Sequence, residues 1–188
     1  EQALLALRKK AAAIATAALK ASSLNTSVAA TIASSKGVVD ASTLRALTMA
    51  YGGDESLMAG TLFLNKTDLI AFGDVRGTNE KKAVYEITPN AANPNTGIIK
   101  DGGLSVPYVI NSGLTACHGT SQTASAQKTM FFGDPLCLEL DLFSDYEIRV
   151  SEDFAITSLM DTIVGDVEVG SDVVVKNGFV ALTIAAST

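Results

Sequence analysis

With 188 residues, of which 47% are hydrophobic and 18% charged, the chain can bury one core or two small ones, and its composition excludes intrinsic disorder. Its formal charge of −6 argues against a protein that grips nucleic acid, because such proteins bind phosphates through clustered Lys and Arg. No apolar run reaches the roughly 18 residues that cross a bilayer as a helix, so no membrane span is expected.

The first predicted element is a helix at the start of the chain. Most of its apolar face is alanine, so the face lets a neighbour approach closely but buries little area. Val28 and Ile32 continue the helical spacing, so residues 22–36 are expected to prolong this helix or to form a second short one that ends at Gly37. The apolar residues that recur every three or four positions, opposite Arg8 and Lys20, are Leu4, Leu7, Ala11, Ile14, Ala18 and Ala21.

A second helix is predicted just after residue 40. Asp40 or Ser42 can cap its first turn, and the glycine pair at 52–53 would end it. Its apolar face is made by Leu44, Leu47 and Tyr51.

From residue 61 the pattern changes to short apolar runs and period-two alternation, which predicts strands. A helical turn is expected at 66–72. Stretches rich in Pro, Gly and polar residues at 89–103 and 112–128 are predicted to be surface loops. The predicted strands of this part of the chain are 61–65, 83–88, 105–111 and 130–132.

Residues 136–143 alternate strictly, with leucines on one face and the acids Glu139 and Asp141 on the other. This pattern predicts a strand with one buried face. Residues 144–145 are turn-prone, and 146–150 alternate again, so these two strands are expected to pair as a hairpin.

The last part of the chain is predicted to be a β meander. A short helix is expected before it, around 153–160. Asn177 and Gly178 fit a type I′ turn, which requires two positive φ angles. The strands expected to form the three-stranded antiparallel meander are 164–169, 172–176 and 179–184.

Chemically reactive side chains are few. The only histidine, His118, follows Cys117 in a polar loop, so an enzyme hypothesis is a hydrolase that uses Cys117, Ser112 or Ser121 with His118 as the base. The interpretation we favour is a solvated His118 and a small, semi-buried Cys117. Cys117, His118 and Cys137 could supply three zinc ligands, but they lack the paired Cys-x-x-Cys spacing of zinc sites. We therefore predict no catalytic, cofactor-binding or metal-binding residue.

Acidic residues are plentiful in the second half of the chain, where a general acid and base pair could lie. On alternating strands they occupy the face opposite the leucines, so a solvated sheet surface is the expected explanation. These acids are Glu139, Asp141, Asp145, Glu147, Glu152, Asp153, Asp161, Asp166, Glu168 and Asp172.

Three segments carry a resemblance to a known family. TLFLNKTDL at 61–69 resembles a strand-to-helix step, and MFFGDPLCLELDLFSDYEIRVSEDF at 130–154 resembles the last axial strands of the same fold. GDVEVGSDVVVKNGFVALTI at 165–184 resembles its returning peripheral strands. With the order of helix first and sheet later, residues 38–184 resemble the major capsid protein of tailed bacteriophages, which has the HK97-type capsid fold.

The resemblance implies an α+β fold with a spine-type helix, an axial α/β domain and a C-terminal antiparallel β meander. It assigns 1–37 to the spine helix region of a peripheral domain, 38–150 to the axial domain, and 151–188 to strands that return to the peripheral domain. It implies a non-enzymatic virion subunit that assembles with copies of itself into pentamers and hexamers. Scaffold, protease and portal proteins would be its partners in the host cytoplasm, with no cofactor and no specific nucleic-acid binding.

The family also has an N-terminal arm and an extended loop before or beside the spine helix. Because no residues for them precede Glu1, the sequence is expected to be either a fragment or a reduced relative of the family, and we favour the fragment. The alternatives are the shell protein of a bacterial nanocompartment with the same fold, the hydrolase described above, and a surface binding module.

Overall fold

The computed structural model describes residues 2–51, 60–77, 79–145, 147–151 and 162–187. The predicted glycine stop at 52–53 and the helix around 153–160 lie outside them. Within the described residues, the elements in chain order are α1 (Gln2–Ala21), β1 (Thr26–Ala29), β2 (Thr31–Ala33), β3 (Lys36–Val38), α2 (Thr43–Ala50), β4 (Thr61–Leu64), α3 (Lys66–Asp74), β5 (Glu86–Pro89), β6 (Thr96–Asp101), β7 (Leu104–Ile110), β8 (Gln127–Gly133), a 3₁₀ turn (Pro135–Cys137), β9 (Leu138–Leu142), β10 (Glu147–Ser151), β11 (Thr162–Asp166), β12 (Val169–Val173) and β13 (Phe179–Ile184).

These elements form two compact units, and the chain passes from one unit to the other three times. Strands β9 to β12 pair among themselves, while β1 and β13 pair in one sheet of the second unit. The first unit comprises Glu1–Ser22 and Leu138–Val173, and the second comprises Ser23–Cys137 and Val174–Thr188.

In the first unit, α1 packs mainly against β12, and also contacts β11 and β9. The face predicted from the sequence packs in part, since Ala11 is buried and Leu4, Leu7, Ile14 and Ala18 are half-buried. Thr16 and Leu19, which lie outside the predicted face, are buried as well. Ala21, at the end of the helix, is exposed instead.

Strands β9 to β12 form a long antiparallel ribbon, which we call the ribbon. β9 pairs with β12, and β10 pairs with β11. The predicted hairpin between residues 136–143 and 146–150 is therefore wrong. Ser144 does not turn the chain back, because its Oγ accepts the Glu168 N–H (2.8 Å), and the Phe143 N–H donates to the Glu168 carbonyl (2.9 Å).

The second unit is built on a seven-stranded mixed sheet with the order β1-β13-β8-β4-β7-β6-β5. β13 pairs antiparallel with β8 and parallel with β1, so the predicted C-terminal meander is wrong. β13 has a strand neighbour on both sides, and its side chains are buried along nearly its whole length. The predicted meander paired this strand only with strands that are close to it in the sequence.

Residues 22–36 are not helical. They hold β1 and the β2–β3 hairpin, whose turn residues Ser34 and Ser35 have φ angles of 51° and 60°. The spacing of four between Val28 and Ile32 fits a helix, but it also fits the period of two in a strand. Ala30, between them, is buried, so the three side chains alternate inward as strand residues do.

The other local predictions are confirmed in position for α2, α3, β4, β5, β7 and β8. The predicted loop at 89–103 contains the strand β6, which pairs with β5 and β7. The turn predicted at 177–178 is wrong in type: Asn177 has a φ of 59°, but Gly178 does not have a positive φ.

The core of the second unit lies between its sheet and α2, which contacts β13, β1 and β8. Leu44 and Leu47 of α2 are fully buried. Phe72 packs edge-on against Tyr85 at 5.0 Å between ring centroids, and the Tyr85 hydroxyl donates to the Asp40 carbonyl (2.8 Å) just ahead of α2. In the part of the chain that the structure describes, no helix is long and apolar enough to span a bilayer.

Candidate functional site

The loop that carries Cys117 and His118 is tied to the start of α3. Asn65 caps that helix, since its side chain accepts the Thr67 N–H (3.0 Å). Asp68, in the first turn, is fully buried, and its two carboxylate oxygens accept the backbone N–H groups of Cys117 (3.0 Å) and His118 (2.8 Å). Asp68 therefore holds the loop through its backbone and leaves the two side chains free to point elsewhere.

The Cys117 thiol is a packing group. It is fully buried and lies against Gly37, where a Cβ atom would be 3.1 Å from its Sγ atom. Burial, together with the nearby Asp68 carboxylate, raises the pKa of Cys117 to about 11. The thiol is thus protonated at neutral pH, whereas a cysteine nucleophile acts as a thiolate. His118 is exposed. The hypothetical nucleophile is thus a buried thiol, and its hypothetical base is a solvated imidazole.

The remaining candidates are not brought together. Ser112 and Ser121 are both exposed, and Ser121 forms a strand bridge with Lys36. Cys137 is buried in the 3₁₀ turn, and both cysteines are free thiols. Among the described residues, no three His, Cys, Asp or Glu side chains lie close enough to hold a metal ion.

An open groove of about 440 Å³ lies beside β5, β6 and β7. Its lining includes Thr88, Asn90, Gly97, Pro107 and Tyr108. The Tyr108 hydroxyl is buried and has no hydrogen-bond partner among the described residues. Because these side chains offer no carboxylate, imidazole or thiol, the groove lacks an acid–base pair or a nucleophile with its base.

The ribbon presents more exposed apolar area than the sequence predicts. The leucine face of 136–143 was expected to be buried, but Leu140 is 45% exposed and Leu142 53% exposed. Phe143 is 69% exposed, and its ring lies over Gly170, where a Cβ atom would be 2.7 Å from Phe143 Cε2. Sequence reasoning missed this aromatic contact, although a glycine in an alternating strand is a signal of close approach.

No protein-family model matches the chain, and no curated protein matches it. Solved structures that are similar to it in fold include two capsids. The capsid of an empty GTA particle, computed with C5 symmetry, has a TM-score of 0.59 and 14% identity, over 85% of this chain and 50% of that chain. The capsid of a native GTA particle, also computed with C5 symmetry, has a TM-score of 0.57 and 16% identity, over 85% of this chain and 49% of that chain.

The chain therefore spans about half the length of these capsid chains. At such low identity the likeness establishes the fold alone. It confirms the α+β, HK97-like capsid fold that the sequence predicts.

Proposed function

We propose that this chain is a non-enzymatic capsid subunit that assembles with copies of itself into the icosahedral head shell of a tailed phage or prophage. The observation that carries the proposal is the fold shared with two capsid chains over 85% of this chain. The protein would then reside in the virion. Scaffold, protease and portal proteins would act with it during assembly in the host cytoplasm.

The chemistry of the described side chains supports a structural role. The single histidine is solvated, the thiol beside it has a pKa of about 11, and the buried Asp68 binds backbone N–H groups. A catalytic site needs a nucleophile or general base within hydrogen-bond reach of its partner. In the described part of the chain these candidate groups serve packing and loop attachment instead.

The sheet of the second unit has blunt edges, which favours contacts between copies through faces and loops. β1, at one edge, has only four residues. β5, at the other edge, carries the exposed Glu86 and ends at Pro89, which cannot donate a backbone hydrogen bond. Short strands, charges and proline are the usual protection against edge-to-edge pairing. Contacts of the head-to-tail type that close on themselves generate rings, the units from which a shell is built.

The net charge of −6 fits a shell that encloses nucleic acid without gripping it. Binding to phosphate would require clustered cations, and over the whole chain the acids outnumber Lys and Arg by 20 to 14.

Electron microscopy of the complete product of the native gene tests the proposal. We expect negatively stained particles to be closed shells or five- and six-membered rings, with light scattering at the corresponding mass. The proposal fails if the complete product stays monomeric under conditions that assemble capsids, or if it shows a hydrolytic activity that His118→Ala abolishes.

A further inference from the structure

The ribbon has two chemically different faces. Opposite residues of an antiparallel pair share a face, so the pairs Leu138↔Val173 and Glu139↔Asp172 define the two faces. Val173, at the end of β12, is 2% exposed, whereas Leu140 and Leu142 on the same face are about half exposed. Glu139, Asp172 and Asp141 are all exposed on the other face, which we call the acidic face.

The acidic face also carries an aromatic side chain. Gly170 lies opposite Asp141 in the register, and the Phe143 ring covers it. An aromatic ring that is 69% exposed is costly to leave in water, so this face, which combines the ring with exposed carboxylates, has the composition of a contact surface.

The exposed side of α1 has the complementary composition. Leu5 is 54% exposed, and Arg8 and Lys9 follow at three and four residues, so the three side chains lie on one side of the helix. Lys10 is exposed as well, and α1 contains no acidic residue. This side combines one apolar side chain with neighbouring cations.

The two surfaces are not used within one copy. Arg8, Lys9, Asp141 and Asp172 are all exposed, and within the described residues they form no ion pair. Their charges are therefore available to a second copy.

We infer that the exposed side of α1 in one copy docks on the acidic face of the ribbon in the next copy. Leu5 then covers Phe143, while Arg8 and Lys9 face Asp141 and Asp172. The contact is head-to-tail, because each copy offers one surface of each kind, and such contacts form rings when the rotation closes. The inference rests on the proposed function for its partner, a second copy of this chain.

A charge-exchange experiment on the 188-residue chain tests the contact. One variant is Arg8→Glu/Lys9→Glu, and the other is Asp141→Lys/Asp172→Lys. Sedimentation equilibrium up to about 1 mM protein measures self-association at low salt. We expect each variant alone to associate roughly tenfold more weakly than the native chain, because like charges now face each other. An equimolar mixture of the two should regain association, because each helix then meets a ribbon of opposite charge.

The matched control is Lys81→Glu/Lys82→Glu, which makes the same charge change on exposed residues of the second unit. It should associate like the native chain. Failure of the mixture to associate better than either variant overturns the inference, and so does an equal loss in the control. If the complete gene product forms shells but the mixture is not restored, the docking fails while the proposed function stands. If association is restored in the mixture but the complete gene product forms no shells, the docking stands and the proposed function fails.

Discussion

Asp40 concentrates four hydrogen bonds on one carboxylate at the entrance to α2. It accepts the Thr31 hydroxyl at 2.6 Å, the Ser42 N–H at 2.8 Å and hydroxyl at 2.7 Å, and the Thr43 hydroxyl at 3.0 Å. Burial raises the pKa of this carboxyl, but the hydrogen bonds from Thr31, Ser42 and Thr43 outweigh burial and lower the pKa to about 2. The ionised form is therefore the one that the fold stabilises.

The depressed pKa predicts an acid-sensitive contribution to stability. An aspartate in an unfolded chain has a pKa of about 3.9. The contribution of the Asp40 charge to stability is therefore complete above that pH and is lost as the pH falls toward about 2. After allowance for solvent screening, Asp40→Asn should lower the free energy of unfolding by about 1–2 kcal/mol at neutral pH. The difference from the native chain should shrink below about pH 4. Urea unfolding followed by circular dichroism over a pH series measures it.

Asp74→Asn serves as the control, because Asp74 is an exposed carboxylate at the end of α3. It should follow the native chain at every pH. A constant difference between native and Asp40→Asn proteins from neutral pH to about pH 2 would show that the Asp40 charge contributes nothing.

Asp68 illustrates why residue-level reasoning found the loop but not its anchor. The sequence drew attention to Cys117 and His118 because they are reactive types, and it correctly favoured a solvated His118. The carboxylate that holds them lies 49 and 50 positions earlier and binds only their backbone. Backbone partners carry no side-chain signature, so spacing in the sequence could not reveal them.

At the scale of the elements, the Asn177–Gly178 pair between β12 and β13 suggested a type I′ turn. The turn is of another type, but both positions are constrained by the fold. Asn177 alone has a positive φ, and its N–H donates to the Leu24 carbonyl (2.9 Å). Gly178 is required by space, because a Cβ atom there would lie 2.6 Å from Cys137 Cβ and 2.7 Å from its Sγ.

Gly178→Val should therefore destabilise the second unit by about 1–3 kcal/mol through overpacking against Cys137. Gly103→Val is the matched control, since nothing lies within 4 Å of a Cβ at Gly103 and its φ is not positive. The control should change the unfolding free energy by less than about 0.5 kcal/mol. Thermal melts of both variants decide the point: equal melting temperatures would mean that the contact with Cys137 carries no energy.

Helices and individual strands were largely predictable, because periodicity is a local signal. The pairing of strands could not be predicted in the same way. β9 alternates as if it had a hairpin partner at 146–150, yet its partner β12 lies beyond β10 and β11. The Asn177–Gly178 dipeptide suggested the type I′ turn, whereas consecutive positive φ angles occur at Ser34 and Ser35. Tertiary contacts, rather than turn propensity, decide these places.

At the scale of the whole molecule, the 188-residue chain should be folded and mostly monomeric at roughly 10 μM. The chain spans about half the length of the capsid chains that it resembles in fold, and contacts that bury less than about 1,000 Å² are usually weak or transient. Light scattering of this chain at that concentration checks the expectation. A stable ring formed by the 188-residue chain alone would contradict it.

The place of β13 in the sheet determines when the second unit can finish folding during synthesis. Thr26 of β1 pairs with Val180, so the first strand of the sheet has its partner 154 positions later (180 − 26). At about 5–20 residues per second, a ribosome makes that partner roughly 8–30 s after β1. β8 also lacks one of its two neighbours until then, because that neighbour is β13. A nascent chain thus cannot complete this sheet until β13 has been made, so a chain that ends before β13 lacks the finished second unit.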